Sequence, residues 1–160
     1  MQIQPATLAD DDAIWAMLEP VFRSGETYCV PRDISRAQAL AYWSDPLHQV
    51  FVAESDRRPL GTYFLTPNQK GGGAHVCNCG FVTAEAAAGK GVARAMLVHA
   101  LDTARAAGFR AMQFNFVVST NARAIAIWQS HGFETVGCLP GAFLHPREGY
   151  VDALVMYRHL

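Results

Sequence analysis

The chain has 160 residues, of which 51% are hydrophobic and 17% are charged, and its formal net charge is −1 at pH 7. High apolar content with low net charge argues against disorder, and the lack of a Lys/Arg excess argues against a protein that coats nucleic acid. A chain of this size buries roughly 70% of its unfolded surface, so residues 1–160 are expected to form one domain whose core needs no metal or disulfide.

The N-terminal third predicts one strand and two helices. Residues 3–6 are typical of a short strand, and Thr7 with Asp10 forms a capping-box pattern ahead of a helix that Gly25 ends. Within this helix, apolar residues recur at helical spacing, at Ile14, Leu18, Val21 and Phe22. A second helix is expected over residues 35–44, because a proline follows shortly after it.

From residue 50 the pattern changes to that of strands. Residues 50–53 and 61–65 predict a hairpin, because the residues between them, 55–59, are typical of a turn. A loop with three consecutive glycines comes next, and residues 74–83 predict a fourth strand.

The second half alternates helices with strands, and Gly108 and Gly132 are expected to end the two helices. The expected elements are a helix from residue 92, a strand at 111–118, a helix at 121–130 and strands at 134–137 and 151–157. A long loop is expected at 139–150. This order predicts a mixed α+β fold in which helices cover a sheet.

Features that would place the chain in or across a membrane are missing. No apolar run reaches the roughly 18 residues of a membrane span, and residues 1–5 lack the basic-then-apolar layout of a signal peptide. A cytoplasmic protein is therefore expected. The cysteines are then expected to be buried free thiols: Cys29, Cys77, Cys79 and Cys138. His75, Cys77 and Cys79 alternate along one predicted strand, but a single strand rarely wraps a tetrahedral ion, so no metal site is expected.

The segment Ala88-Gly89-Lys90-Gly91-Val92-Ala93 opens a helix with two glycines. Glycine allows close backbone approach, and the first N–H groups of a helix lack internal partners, so they can hold a phosphate. A tight turn that packs the helix on a strand explains the same residues. A Walker A loop and a dinucleotide fingerprint do not fit, because Gly91 follows Lys90 and Arg94 stands where a third glycine is needed.

A second segment places Asn121 and Trp128 seven residues apart, on one face of a helix. A core tryptophan on an amphipathic helix explains Trp128 equally well. Together, however, the two segments resemble the GNAT superfamily of acyl-CoA-dependent N-acyltransferases. The family loop Gln/Arg-x-x-Gly-x-Gly/Ala is matched at Gly91 and Ala93, whereas Ala88 stands at the Gln/Arg position. The later pattern, Asn-x-x-Ala, an aromatic residue and Gly-Phe, is matched by Asn121, Ala124, Trp128, Gly132 and Phe133.

The resemblance implies a GNAT-like central mixed β-sheet of about seven strands, splayed between strands 4 and 5 and flanked by about four helices. It also implies acetyl-CoA as cofactor, with the pantetheine arm in the gap between the splayed strands and the diphosphate on the glycine-rich loop. The residues that it assigns to acetyl-CoA are Phe81, Val82, Thr83, Ala88, Gly89, Lys90, Gly91, Val92, Ala93, Arg94, Asn121 and Trp128.

The implied reaction is direct attack of an amine on the thioester, with a backbone N–H of the splayed strand stabilising the oxyanion. Many family members carry a tyrosine at the position of Trp128, and its hydroxyl protonates the departing thiolate. An indole N–H donates hydrogen bonds but has negligible acidity. The identity of the general acid therefore stays open: the alternatives are another residue, such as Tyr28, and water.

The candidate catalytic residues are His75, Glu26, Tyr28 and Asn121. His75 can take a proton near neutral pH, although a structural histidine explains it too. Glu26 lies in the connection that lines the acceptor pocket in the family, where it could hold a cationic amine, take its proton or be a solvated loop carboxylate. Asn121 is implied to lie near the pantetheine or the thiol.

The main hypothesis is an N-acetyltransferase that acts on a small-molecule amine, with Phe143, His145 and Tyr150 as candidate walls of the acceptor pocket. Two alternatives stay open: a non-catalytic acyl-CoA-binding or scaffold domain, and a peptide or protein N-acetyltransferase. Neither nucleic acid nor a membrane is expected as a partner. A homodimer stays open, since members of the family often dimerise.

Overall fold

The computed structural model describes residues 1–160, which form one seven-stranded sheet with helices on both faces. In chain order the elements are β1 (Gln2–Pro5), α1 (Asp11–Ser24), α2 (Arg36–Trp43), β2 (Gln49–Ser55), β3 (Arg58–Pro67), β4 (Val76–Thr83), α3 (Val92–Ala106), β5 (Ala111–Val118), α4 (Ala122–Ser130), β6 (Glu134–His145) and β7 (Gly149–His159). The strand order is β1-β2-β3-β4-β5-β7-β6, and only β4 and β5 pair in parallel. The predicted mixed α+β class is confirmed.

The sheet separates two apolar clusters. On one face, α3 and α4 pack through Met96, Leu97 and Trp128 onto the middle strands. On the other face, α1 and α2 contribute Leu18 and Trp43 to a smaller cluster. Because successive residues of a strand point to opposite faces, β4 supplies side chains to both clusters. The central strand β4 is thereby held from both sides.

Most helix ends follow local signals. The backbone N–H of Thr7 donates to Asp10 Oδ2 at 2.7 Å, although this box caps a 3₁₀ turn that leads into α1 rather than α1 itself. Gly25 adopts a φ of 68° and ends α1, as predicted. The C-cap of α4 is His131 rather than Gly132, which follows it with a φ of 80°.

The predicted loop over residues 139–150 is wrong. β6 continues to His145, β7 begins at Gly149, and a short turn joins them into a long hairpin. A bulge interrupts the pairing at Pro140 and Gly141. Proline and glycine in sequence suggest a loop, but the outermost strand of a sheet tolerates both at a bulge, because its free edge needs no ladder hydrogen bonds.

All four cysteines are free thiols. Cys77 and Cys79 are buried as predicted, and burial raises the pKa of Cys77 to about 12. The prediction is wrong for Cys29, in the connection between α1 and α2, and for Cys138, on the outermost strand β6, which are both exposed. No three His, Cys, Asp or Glu side chains are grouped so that they could hold a metal ion. None of the helices has the length and apolar character needed to cross a membrane.

Candidate active site

β4 and β5 lie side by side only where they begin. Their residues pair at Val76 with Ala111 and at Cys77 with Met112, and no further pair joins them. Both strands continue well beyond this point, so they part and leave a gap between their C-terminal halves. The splay expected between strands 4 and 5 is confirmed.

Aromatic side chains line the gap on the side that α4 covers. The indole of Trp128 lies between the ring of Phe81 on β4, at 5.2 Å between centroids, and the ring of Phe114 on β5, at 5.0 Å. Trp128 is buried in this position. The indole thus contacts both strands on the α4 side of the gap.

A cavity of about 700 Å³ occupies the gap. Its walls come from the connection between α1 and α2, from β4 and β5, from the segment that leads into α3, and from α4. This volume falls within the range of pockets that hold small molecules, roughly 300–1,000 Å³. All the residues predicted to bind the cofactor line the cavity except Lys90.

The backbone of β4 presents polar groups to this cavity. Successive residues of a strand direct their N–H and C=O groups to opposite sides. The carbonyl of Val76 and the N–H of Ala84 bond on the β3 side, both at 2.8 Å. The residues that alternate with these along β4 direct their backbone N–H and C=O groups to the opposite side, which is the gap. They are Cys79, Phe81 and Thr83.

Tyr28 reaches one of these groups. Its hydroxyl donates to the carbonyl of Phe81 at 2.9 Å, while its ring packs edge-on against Phe22 and Trp43. Burial raises the pKa of Tyr28, so the hydroxyl keeps its proton at physiological pH. The structure thus brings Tyr28 to the cavity, but the proton that a general acid would give up is engaged by the backbone of β4.

The helix α3 begins at the edge of the cavity. Gly89 and Gly91 adopt φ values of 81° and 78°, in the left-handed region that glycine enters without strain. The backbone N–H of Ala95 donates to the carbonyl of Gly91 at 3.0 Å, which starts the helical ladder. The N–H groups of residues 92–94 therefore have no partner within the helix and carry the positive end of its dipole.

Arg123 is a cavity residue that the sequence analysis did not single out. It lies in the first turn of α4, and a Cβ added at Gly89 would lie 3.5 Å from its Nη2. Neither Arg123 nor Arg94 forms an ion pair. Two unpaired guanidinium groups beside free helical N–H groups fit an anionic diphosphate. The sequence did carry a signal for Arg123, because this residue lies two positions after Asn121, within the second motif.

Asn121 is the N-cap of α4. Its Oδ1 accepts the backbone N–H of Ala124 at 3.4 Å, and the residue lines the cavity. The same side chain therefore starts the helix and forms part of the wall beside Trp128.

His75 lies elsewhere. It precedes β4, is exposed, and its carbonyl accepts the N–H of Arg110 at 2.9 Å, at the end where β4 and β5 are paired. Six residues separate it from Phe81, which is about 20 Å along a strand. The structure does not bring His75 to the cavity.

Glu26 is close to the cavity but faces away from it. Its carboxylate pairs with Arg147 at 2.6 Å, whereas its neighbours Thr27 and Tyr28 line the cavity and Glu26 does not. Arg147 lies in the turn between β6 and β7, so this ion pair ties the tip of the long hairpin to the α1–α2 connection. The carboxylate is not free to take a proton from an amine while this pair is closed.

The hairpin residues expected at the acceptor pocket have different roles. Phe143 is buried, with its ring 6.2 Å from that of Phe116, which lines the cavity. His145 is buried, and its Nδ1 accepts two backbone N–H groups of the turn at 3.2 Å, so it shapes the turn. Tyr150 is exposed. Of the three, only Phe143 reaches the wall of the cavity.

Comparison with known proteins agrees with this geometry. A model of the acetyltransferase (GNAT) family matches residues 12–133. The chain belongs to the GNAT acetyltransferase family. The resemblance drawn from the two motifs is therefore confirmed, and acetyl-CoA is the cofactor of this family.

Individual GNAT relatives differ in how far they match. The structure of a GCN5-related N-acetyltransferase from Kribbella flavida is similar to 99% of this chain and 97% of that one, with 41% identity and a TM-score of 0.94. The protein yncA from Salmonella typhimurium, solved with its cofactor acetyl-CoA, shares the fold at 24% identity, covering 100% of this chain and 94% of that one, with a TM-score of 0.87. N-acetyltransferase aca1 from Schizosaccharomyces pombe is 35% identical over 101 residues, which is 62% of this chain but only 48% of aca1. The chain thus spans about half the length of that relative.

The two cavity arginines lead to a prediction about the GNAT cofactor. We expect Arg94→Gln and Arg123→Gln each to weaken coenzyme A binding about tenfold, because a hydrogen bond to a charged group contributes about 1.5–3 kcal/mol, part of which is screened at an exposed site. Titration calorimetry at two salt concentrations measures this. Arg105→Gln, on the same helix α3 but paired with Asp102, is the control. Unchanged affinity in both cavity variants would contradict the assignment.

Proposed function

We propose that this chain transfers the acetyl group of acetyl-CoA to a primary amine of a small molecule, by direct attack in a ternary complex. The observation that carries the proposal is one cavity that joins the gap between β4 and β5 to the glycine-opened start of α3. Acetyl-CoA supplies a thioester whose carbonyl carbon an amine can attack. We take residues 1–160 as one catalytic domain.

The backbone of β4 is the proposed electrostatic partner of the reaction. The N–H groups of Cys79 and Phe81 point into the gap, and the side chains around them are largely apolar. In such surroundings, a fixed N–H stabilises an oxygen that gains negative charge far better than water-exposed groups do. Residues 81–83 then line the path of the pantetheine arm, and the N–H groups at the start of α3 hold the diphosphate.

The acceptor is proposed to enter between the α1–α2 connection and the β6–β7 hairpin. The ion pair of Glu26 with Arg147 lies between these two elements, and Phe143 of the hairpin contacts the cavity wall at Phe116. An amine with a polar or charged group on its other end fits such an entrance.

No general base from this chain is needed when the amine arrives neutral. We therefore expect kcat/KM to rise with pH as the acceptor amine loses its proton, and His75→Gln to leave this profile unchanged, because His75 lies about 20 Å from Phe81 along the strand. Initial rates measured between about pH 6 and about pH 10, in steps of about one pH unit, give both profiles. Loss of the acidic limb in the variant would restore His75 as a base.

Tyr28→Phe tests the hydrogen bond to Phe81. Because the hydroxyl proton is engaged by a backbone carbonyl, we expect the variant to lose about 1 kcal/mol in the free energy of unfolding and less than about tenfold in kcat. Urea denaturation and steady-state kinetics provide the two values. A general acid typically contributes 100-fold or more, so a loss of that size with a changed alkaline limb would instead make Tyr28 the proton donor.

The proposed activity is tested by mixing the purified protein with acetyl-CoA and a panel of small amines, amino acids and peptides, while release of the free thiol is followed. Turnover of small amines supports the proposal. Turnover of peptides alone would make the chain a peptide or protein N-acetyltransferase, and binding of acetyl-CoA without any turnover would make it a non-catalytic acyl-CoA-binding domain. Absence of acetyl-CoA binding in calorimetry would overturn the assignment of the cavity.

We also infer a homodimer through the outer strand β6. This strand is at the edge of the sheet and exposes Val136, Leu139 and Leu144. An edge strand with exposed apolar side chains can pair with a second copy across a two-fold axis. Light scattering tests it: the dimer should become a monomer in Val136→Lys, and a monomeric wild-type protein would contradict it. The cytoplasmic location stays a prediction that cell fractionation can check.

A further inference from the structure

The cavity passes through the sheet. One part of its wall is formed by Phe114 and Trp128, which belong to the apolar cluster under α3 and α4. Another part is formed by Phe64, which belongs to the cluster under α1 and α2, and by its neighbours Tyr28 and Tyr42. Because the two clusters lie on opposite faces of the sheet, the gap between β4 and β5 connects them. A thioester held in the gap can therefore be reached from the face that α1 and α2 cover.

The cavity wall on that face is aromatic. The ring of Tyr42 lies edge-on to the ring of Phe64, at 6.4 Å between centroids, and both rings pack against Trp43. The ring of Tyr28 lies 6.0 Å from that of Trp43. Tyr42 is 40% exposed, so the protein leaves part of this side chain uncovered. A flat aromatic ligand gains more than its buried area from packing against such rings.

The cavity wall carries no negative charge. No Asp, Glu or His lines it, and Glu26 pairs with Arg147 outside the lining. The ionisable groups of the wall are two guanidinium groups, two phenols and two thiols, on Arg94, Arg123, Tyr28, Tyr42, Cys29 and Cys79. Burial raises the pKa of both phenols and both thiols, so all four stay protonated at physiological pH. A cationic acceptor would meet no carboxylate here.

This lack of negative charge restricts the acceptor, because only a neutral amine has a free electron pair for attack. An alkylammonium group like that of lysine has lost its proton in only about one molecule in 1,000 at about pH 7. A site for such an acceptor needs a carboxylate that holds the cation or a base that takes its proton. The cavity offers neither. An amine bonded directly to an aromatic ring is already neutral at this pH, because its electron pair is delocalised into the ring.

We propose that the acceptor is an aromatic amine, which binds with its ring against Tyr42 and Phe64 and presents an uncharged amino group to the thioester. This rests on the proposed function. The amine nitrogen forms a bond to the carbonyl carbon, and the carbon–sulfur bond breaks with its electron pair remaining on sulfur. The proton that the nitrogen releases ends on the thiolate, so the products are an N-acetylated aromatic amine and coenzyme A.

The test compares aniline with cyclohexylamine, which is close to it in size but is not aromatic and is strongly basic. Thiol release from acetyl-CoA is followed between about pH 6 and about pH 10. At about pH 7 we expect kcat/KM to be at least about tenfold higher for aniline. The aniline profile should be flat, whereas the cyclohexylamine profile should rise about tenfold per pH unit until the ammonium group has lost its proton.

Tyr42→Leu tests the aromatic wall at a position that is partly exposed and so tolerates the change. We expect KM for aniline to rise about fivefold, because its ring loses a packing partner, and KM for cyclohexylamine to change less than about twofold. Tyr150→Leu is the matched control, because Tyr150 is exposed and does not line the cavity. The same rise in KM for both amines would show that Tyr42 does not select an aromatic acceptor.

The outcomes separate this inference from the proposed function. If the protein does not bind acetyl-CoA, or acetylates no small amine, the proposed function fails. If it acetylates cyclohexylamine or other alkylamines as fast as aniline at about pH 7, only the aromatic acceptor is overturned, because the cavity then holds a cation or supplies a base. A flat aniline profile, together with a KM for aniline that rises in Tyr42→Leu but not in Tyr150→Leu, supports the inference.

Discussion

Gly91→Ala is expected to weaken coenzyme A binding on the order of 100-fold. The added methyl group would displace the diphosphate from backbone N–H groups, and each hydrogen bond to a charged group contributes about 1.5–3 kcal/mol. Gly91 is the N-cap of α3 with a φ of 78°, where alanine is strained by about 1–2 kcal/mol. No protein atom lies within 4 Å of an added Cβ, so the methyl group would point into open space at the helix start. A diphosphate bound on the N–H groups of residues 92–94 would meet that methyl group.

Gly108→Ala is the matched control for this prediction. Gly108 follows the other end of α3, has a φ of 86°, and likewise has no atom within 4 Å of an added Cβ. Both variants should lose a similar free energy of unfolding, about 1–2 kcal/mol. Only Gly91→Ala should lose affinity for coenzyme A in titration calorimetry. Equal affinity in the two variants would show that the start of α3 does not hold the diphosphate.

Gly80→Ala is expected to cost about 1–3 kcal/mol in the free energy of unfolding, because it overpacks the core. An added Cβ at Gly80 would lie 2.4 Å from Phe64 Cε1 and 2.8 Å from its Cζ. The Phe64 ring cannot easily move away, since it is stacked on His48 at 4.1 Å and packs edge-on against Trp43 at 5.0 Å. Urea denaturation measures the loss.

Two further variants make this second prediction specific. Gly137→Ala places its Cβ 3.7 Å from Val155 Cβ, an ordinary contact, and is expected to stay within about 0.5 kcal/mol of the wild-type protein. Adding Phe64→Leu to Gly80→Ala removes the clashing ring atoms and should recover part of the loss. A Gly80→Ala protein as stable as the wild type would contradict this prediction. It would mean that the backbone of β4 shifts to make room for the added methyl group, so that this wall of the gap is deformable.

The long hairpin shows where reading the sequence fails. Pro140 and Gly141 are typical of loops, yet both lie within β6 at a bulge. The difference depends on which strand is outermost, because only an edge strand can do without the ladder hydrogen bonds that a proline lacks. Strand order is a long-range property that residues 139–150 do not themselves encode.

The candidate catalytic residues show the same limit. His75 and Phe81 both belong to the stretch predicted as the fourth strand, but the pairing of β4 with β5 leaves one at the closed end and the other at the gap. The partner of Glu26 is Arg147, far along the chain, and Tyr28 bonds the backbone of Phe81. Side-chain roles of this kind depend on contacts that no local pattern contains.

By itself, the sequence determined the class of fold and predicted the glycine-opened start of α3 as the place where the cofactor binds. Hydrophobic periodicity and glycine punctuation define helices and strands locally, and a phosphate-binding helix start is a local feature built from consecutive N–H groups. The tertiary structure alone decided which residues share the cavity, because strand register and the α1–α2 connection bring distant side chains together. It also decided that the hydroxyl of Tyr28 donates to the carbonyl of Phe81, since hydrogen bonding of a buried group depends on all its neighbours in space.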